Sequence, residues 1–271
     1  MLRGFVFRKV YLVLILILNS KVDANADVVV VDENFTLNST ENALENPEET
    51  GPYIEGDIKD DNNIYRTLSF QRNGIINPSL RWPNGIVPYI VQGSYSPQQL
   101  DIINHAFNEY HKKTCIRFKK RTIERDYIVI SNKGEGCWSS VGRMGGEQVV
   151  NLESPKCFSN YGTTIHELMH VLGFYHEQNR YERDSFVRVL EDNVKTGMMA
   201  NFQKLPFALA TTFGVNYDYA SVMHYRSTSF SKNGKPTLVA LRSSPDASKM
   251  GQRKGFSPGD IKKINLMYKC Y

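Results

Sequence analysis

The sequence predicts an α+β domain, and three observations carry that reading. Between Gly85 and Leu152, short runs of β-branched and aromatic residues recur, separated by glycine-containing and polar turns. Among them, Ser96-Pro97-Gln98-Gln99 opens a segment whose apolar residues fall at helical spacing. Further on, His166 and His170 stand four residues apart, the separation that places two side chains on one face of a second helix. The chain of 271 residues leaves room for one or two domains at roughly 150 residues each, and a hydrophobic share of 41% suffices for a core. Four cysteines are too few for a disulfide-built miniprotein, and the only long apolar run lies at the extreme N-terminus, which excludes a multi-span membrane protein.

Residues 1–26 carry Arg3, Arg8 and Lys9, then an apolar run from Val10 to Leu18, then Ala24-Asn25-Ala26. These are the parts of a secretory signal peptide cut after Ala26, and the run is well short of the ~20 residues that a membrane anchor needs. From Asp27 to Arg72 the composition turns acidic, with eleven Asp or Glu against Lys59, Arg66 and Arg72, a net of −8. Such a stretch cannot bury enough apolar surface to fold alone. It holds two glycosylation sequons, at Asn34 and Asn38. The pattern beyond Arg72 is globular. Gly85–Val91 reads as a strand, with Pro88 pointing to an edge position or a ragged start. Ser96 supplies an N-cap, Pro97 the first helical residue and Gln99 a capping box, ahead of Leu100, Ile103, Ala106, Phe107 and Tyr110. Cys115–Phe118 and Tyr127–Ile130 read as two more strands, and Gly142–Leu152 as a glycine-interrupted strand pair.

The chemistry concentrates in His166-Glu167-Leu168-Met169-His170-Val171-Leu172-Gly173-Phe174-Tyr175-His176. His166 and His170 can bind one metal ion from one helical face, with Glu167 beside them. Gly173 falls where the helix should end, because glycine accepts the left-handed conformation that terminates one, and the chain can then return His176 to the same ion. Three histidines leave a coordination position open, the mark of a catalytic zinc site. Zinc lowers the pKa of water towards ~7, and a carboxylate within reach takes the remaining proton during attack on a carbonyl. Glu167 is placed for that role, and for returning the proton to the departing amine. The run is the metzincin signature, completed by the Met-turn Ser221-Val222-Met223-His224-Tyr225.

At these residues the sequence resembles the astacins, a branch of the metzincin zinc endopeptidases. The match extends through Glu177-Gln178-Asn179-Arg180 and Arg183-Asp184, takes in Arg81-Trp82-Pro83-Asn84-Gly85 and the four cysteines, and covers Asp57 to Cys270. The resemblance implies a metzincin-like catalytic domain over 73–271, with two sub-domains, a twisted mixed sheet, two long helices and a zinc cleft. It further implies one Zn²⁺, with Tyr225 as an additional ligand that swings to stabilise the oxyanion and Met223 as an apolar floor. By the same resemblance Cys115 pairs with Cys270 and Cys137 with Cys157, whereas the cysteine count alone leaves three pairings open. It makes 27–72 a propeptide whose Ile54-Glu55-Gly56-Asp57 matches the FxGD element, so that Asp57 closes the zinc position in the zymogen. Cleavage is then expected at Arg72-Asn73, and the new α-amino group of Asn73 is expected to pair with Glu177. Arg253 is expected to line the S1′ pocket and favour an acidic residue after the cut bond. Two positions depart from the family pattern: Ile54 replaces phenylalanine, and Glu182 replaces aspartate.

The expected partners are protein or peptide substrates, which add as an antiparallel strand along the Cys137–Gly146 hairpin, and an activating protease. A secreted binding protein on a degenerate protease fold is the alternative, and the intact His166, Glu167, His170, His176 and Tyr225 argue against it. Lys112, Lys113, Lys119, Lys120 and Arg121 cluster, but without a nucleic-acid motif they read as a solvated face. His105, His111 and His224 read as ordinary imidazoles. A secreted monomer with no transmembrane anchor and no specific nucleic-acid partner is expected.

Overall fold

The structure is a computed structural model, in which residues 46–60, 74, 77–205 and 211–271 are described. The signal segment, the sequons at Asn34 and Asn38, and the Arg72-Asn73 bond lie outside these residues.

Five strands form one mixed sheet: β1 (Ile86–Gln92), β2 (Arg117–Lys120), β3 (Tyr127–Ser131), β4 (Cys137–Ser139) and β5 (Glu147–Leu152). Their order is β2-β1-β3-β5-β4, all neighbours parallel except the antiparallel pair β4 and β5. Pro88 therefore lies in an interior strand and not at the sheet edge. It is tolerated because the ladder with β3 begins one residue later, at Tyr89. The strand expected over Cys115–Phe118 runs instead from Arg117 to Lys120. Its start is displaced because Cys115 is held by the disulfide to Cys270 and the Ile116 N–H donates to Thr114 Oγ1. Of the strand pair expected within Gly142–Leu152, only β5 lies there; its antiparallel partner β4 precedes the range, at Cys137–Ser139. Gly142, Gly145 and Gly146, all at positive φ, form the connection, braced by Gln148 bonds to Gly142 and Met144.

Helix α1 (Pro97–Lys113) carries the anticipated capping box, with Ser96 accepting from the Gln99 N–H and Gln99 accepting from that of Ser96. Its buried face, Ile103, Phe107 and Tyr110 among others, packs with Val87, Ile128 and Val150 of the sheet. Each such side chain contributes about 1.5–3 kcal/mol by leaving water. Helix α2 (Tyr161–Val171) is buried almost throughout and is tied to α1 by the Tyr110 hydroxyl, which donates to the Ile165 carbonyl at 2.8 Å. A third helix, α3 (Pro258–Tyr268), is an addition to the sequence reading, although Ser257-Pro258-Gly259-Asp260 repeats the signal seen at Ser96. A separate two-stranded sheet, β6 (Val187–Val189) with β7 (Leu238–Ala240), belongs to a second apolar cluster with Phe202, Tyr217, Tyr225 and Phe230. Disulfides join Cys115 to Cys270 and Cys137 to Cys157, the pairings implied by resemblance.

Candidate metal centre

Helix α2 places His166 and His170 on one face and ends before Gly173, whose φ of 107° turns the chain back so that His176 approaches both. The Nε2 atoms of His170 and His176 each lie 3.2 Å from that of His166. Asp57 completes the group, with Oδ2 at 3.0 Å from His166 Nε2 and 3.2 Å from His176 Nε2, and Oδ1 at 3.5 Å from His170 Nε2. All four residues are fully buried.

These residues fit a zinc ion. Bonds of about 2.0–2.1 Å at tetrahedral angles separate ligand atoms by about 3.3–3.4 Å, the scale of the separations found. Each histidine spends its outer nitrogen on an acceptor: His166 Nδ1 on the Val222 carbonyl at 2.8 Å, His170 Nδ1 on the Phe174 carbonyl at 2.6 Å, His176 Nδ1 on Glu55 Oε2 at 2.7 Å. With the outer nitrogens committed to those acceptors, the three Nε2 atoms converge on one point, the arrangement of a metal site with its outer hydrogen bonds in place. Asp57 Oδ1 points into the same space with no hydrogen-bond partner among the described residues. Burial opposes ionisation of Asp57, yet His176 and His170 hold its carboxyl well below the usual range. Burial, helped by the Arg253 charge, pushes His166 down to about 4, so its imidazole is neutral and able to ligate.

Supports for this group come from distant elements. Asp260, in the first turn of α3, accepts from Ser221 Oγ at 2.6 Å and from the Val222 N–H at 2.9 Å, and Val222 in turn accepts from His166. Met223 is fully buried, and its carbonyl accepts from the Glu177 N–H. Glu167 is fully buried, and neither carboxylate oxygen has a hydrogen-bond partner among the described residues. Burial, then the negative charges of Asp57 and Glu48, raise its pKa well above the ordinary value. A carboxyl of that kind is suited to holding and passing a proton.

Glu177 lies between Lys263 Nζ and Arg180 Nη1, each at 2.7 Å, and this pairing brings its pKa down to about 2 against the effect of burial. Glu177 Oε1 also accepts from the Asp218 N–H at 2.9 Å, and Asn73, the expected partner, falls outside the described residues. The departure at Glu182 preserves an ion pair, since Glu182 accepts from Arg180 Nε at 2.9 Å. Of the remaining histidines, His224 is buried against the Tyr217 hydroxyl at 2.7 Å, His111 accepts from the Phe118 N–H, and His105 packs on Tyr161.

Segment 46–60 lies along this centre. Ile58 pairs with Ser139 of edge strand β4 in the parallel sense, through Ser139 N–H to Asp57 O at 2.9 Å and Lys59 N–H to Ser139 O at 3.0 Å. Gly56, at φ 91°, turns the chain where a Cβ would meet the Glu48 carbonyl at 2.9 Å. The Tyr225 hydroxyl donates to the Glu55 carbonyl at 2.6 Å, and its ring lies 4.7 Å from that of His176. At the FxGD position Ile54 is 41% exposed, and the aromatic contact is made instead by Tyr53, 5.3 Å from the ring of Trp138. Arg253 is buried and paired through Nε with Glu48 and through Nη2 with Glu49 at 3.5 Å. Gly162 lets its backbone approach α2, because a Cβ there would meet Arg253 at 2.3 Å. The sequence reading assigns Glu48, Glu49 and Lys263 no role: the two acids count there only as members of the acidic stretch, and Glu55 only as a residue of the FxGD-like element.

A family model described as Astacin, a peptidase family, matches residues 74–269. The chain belongs to the astacin family. It is 45% identical over 216 residues to zinc metalloproteinase nas-14 of Caenorhabditis elegans, covering 79% of this chain and 42% of that protein. Zinc metalloproteinase nas-7 of the same organism is 38% identical over 258 residues, covering 93% of this chain and 66% of that one. The chain thus spans about half the length of several curated relatives. Among solved astacin-like structures, high choriolytic enzyme 1, a hatching enzyme zinc-protease from the medaka fish Oryzias latipes, superposes with a TM-score of 0.64 at 33% identity. That match covers 79% of this chain and all of the other. No helix among the described residues is long and apolar enough to cross a membrane.

Proposed function

We propose that this chain is the precursor of a secreted zinc endopeptidase, with a signal peptide over 1–26, a propeptide over 27–72 and the protease domain over 73–271. The observation that carries the reading is the set of three inward Nε2 atoms with the Asp57 carboxylate in the remaining position and Glu167 beside them. A zinc ion held there supplies Lewis acidity, acidifying water and polarising the substrate carbonyl. Glu167 takes the proton released during attack and passes it to the departing amine. Once freed from the Glu55 carbonyl, the Tyr225 hydroxyl donates to the carbonyl oxygen as negative charge develops on it. Edge strand β4 offers backbone bonds to an extended peptide, in the antiparallel sense opposite to that of segment 57–59. Arg253 selects an acidic side chain after the cut bond.

Latency follows from Asp57 occupying the ligand position and Glu55 occupying Tyr225. Cleavage at Arg72-Asn73 unlinks the segment so that it can dissociate, and the new ammonium of Asn73 joins Lys263 and Arg180 around Glu177. The test is casein or gelatin cleavage by the trimmed protein, with and without chelator and with Glu167→Ala. Loss of activity under both treatments is expected. Activity that survives either one overturns the mechanism.

A further inference from the structure

Beside Arg253 the cleft presents a group of hydrogen-bond donors, and they hold two carboxylates, adjacent in the chain. Glu48 is bound by Arg253 Nε, with Thr163 Oγ1 3.4 Å from its other oxygen. Glu49 is bound by Ser229 Oγ, by the Arg226 backbone N–H at 3.0 Å and, more distantly, by Arg253 Nη2 at 3.5 Å. Within the segment its carboxylate accepts from Asn46 Nδ2, at 2.9 Å. Both acids are almost wholly buried. One guanidinium cannot neutralise two carboxylates, and an anion taken out of water without compensation costs far more than an ordinary contact returns. For Glu49 the compensation includes a pair of donors belonging to the 226–229 turn, one on each carboxylate oxygen. That turn is fixed from the enzyme side, since the Ser229 N–H donates to the Arg226 carbonyl at 3.2 Å and leaves the hydroxyl proton for Glu49.

We infer that the cleft contains a second carboxylate site, formed by Ser229 Oγ and the Arg226 N–H, so that the enzyme favours peptides carrying two neighbouring acidic side chains on the leaving-amine side of the cut bond. The inference rests on Arg253 reading the first of those positions. Segment 46–60 occupies both sites with side chains, while its backbone at 57–59 runs opposite to the expected substrate, so the pockets and not the chain direction define the specificity. The second site offers hydrogen bonds and only a share of the Arg253 charge. It therefore adds to the first site and does not replace it.

The test compares kcat/KM for four fluorogenic peptides, identical except for the three residues after the cut bond: Ala-Ala-Ala, Asp-Ala-Ala, Asp-Asp-Ala and Asp-Ala-Asp. A second acid, at one of its two placements, is expected to raise kcat/KM about tenfold over Asp-Ala-Ala, chiefly through KM, as for a charge-assisted hydrogen bond. Ser229→Ala should reduce that ratio to about threefold or less, and Ser229→Thr, which keeps the hydroxyl, should preserve it. Because each ratio is taken within one protein, a general loss of activity does not enter it. In parallel, a peptide spanning residues 46–60 is titrated against the trimmed Glu167→Ala protein, where Glu49→Gln in the peptide is expected to weaken binding about tenfold. A preference for Asp-Ala-Ala over Ala-Ala-Ala that no second acid improves overturns the second site alone. Equal cleavage of Ala-Ala-Ala and Asp-Ala-Ala overturns the reading of Arg253 and this proposal with it.

Discussion

Two regions supply ligand atoms to the same centre and are built in opposite ways. The run from Tyr161 to His176 is made by its own periodicity: a helix, a glycine turn and a return, with outer-nitrogen acceptors for His166 and His170 from within the catalytic domain. Segment 46–60 has a short 3₁₀ turn and a small bridge between Ile54 and Ile58, and takes its remaining order from what it touches. Glu48, Glu49, Glu55 and Asp57 all find their main partners on the other side of the cleft. The first region is ordered mainly by contacts within its own helix and the Met-turn, the second mainly by contacts with residues far away in the chain.

Glu167→Ala breaks the first region with the largest effect: peptide cleavage should fall about 10³-fold, the scale of a lost general base, while the 46–60 peptide still binds. Quenching or recovery of Trp138 emission reports that binding directly, since Tyr53 and the Lys59 ammonium, 4.4 Å from its ring centroid, both lie on it. Next comes Lys263→Met, which removes one of the two cations paired with buried Glu177 and should cost about 3 kcal/mol in a denaturant titration. Pairing it with Glu177→Gln should recover much of that loss, because the stranded charge is then gone. In the second region, Asp57→Ala should raise the basal activity of the precursor about 10–100-fold, and a precursor that stays as silent as the unmutated form excludes the latency role. The smallest change is Tyr53→Ala, expected to weaken the 46–60 peptide by about 1 kcal/mol in the same fluorescence titration.

The two regions also differ in how far they could be read from sequence. His166, Glu167, His170 and His176 are legible because their spacing and the helix period agree, and the cap at Ser96 because each of its residues has a local partner. The α3 helix carried the same local signal at Ser257, and its role in holding the Met-turn lies in the long-range Asp260 contacts. At Pro88 the ragged start holds and the edge position does not, because the edge rule concerns individual ladder positions, and a strand can be interior while one end is unpaired on one side. Glu48 and Arg253 are 205 residues apart, so no periodicity connects them. An acidic run looks alike in sequence whether it is solvated or facing a guanidinium, and Lys263 is one of two adjacent lysines, distinguished only by the helix face that turns it inward.

In the activation scheme proposed above, the parallel seating of residues 57–59 on β4 also bears on the time course. A cut at residue 72 would sever a tether and leave the contacts from Asn46 to Lys59 in place. The fragment then changes from a blocker held at the high local concentration of a linked segment to a free inhibitor at the concentration of the protein itself. Cleavage and activity thereby become separate events, with bands on a gel running ahead of turnover in concentrated samples and coinciding with it on dilution.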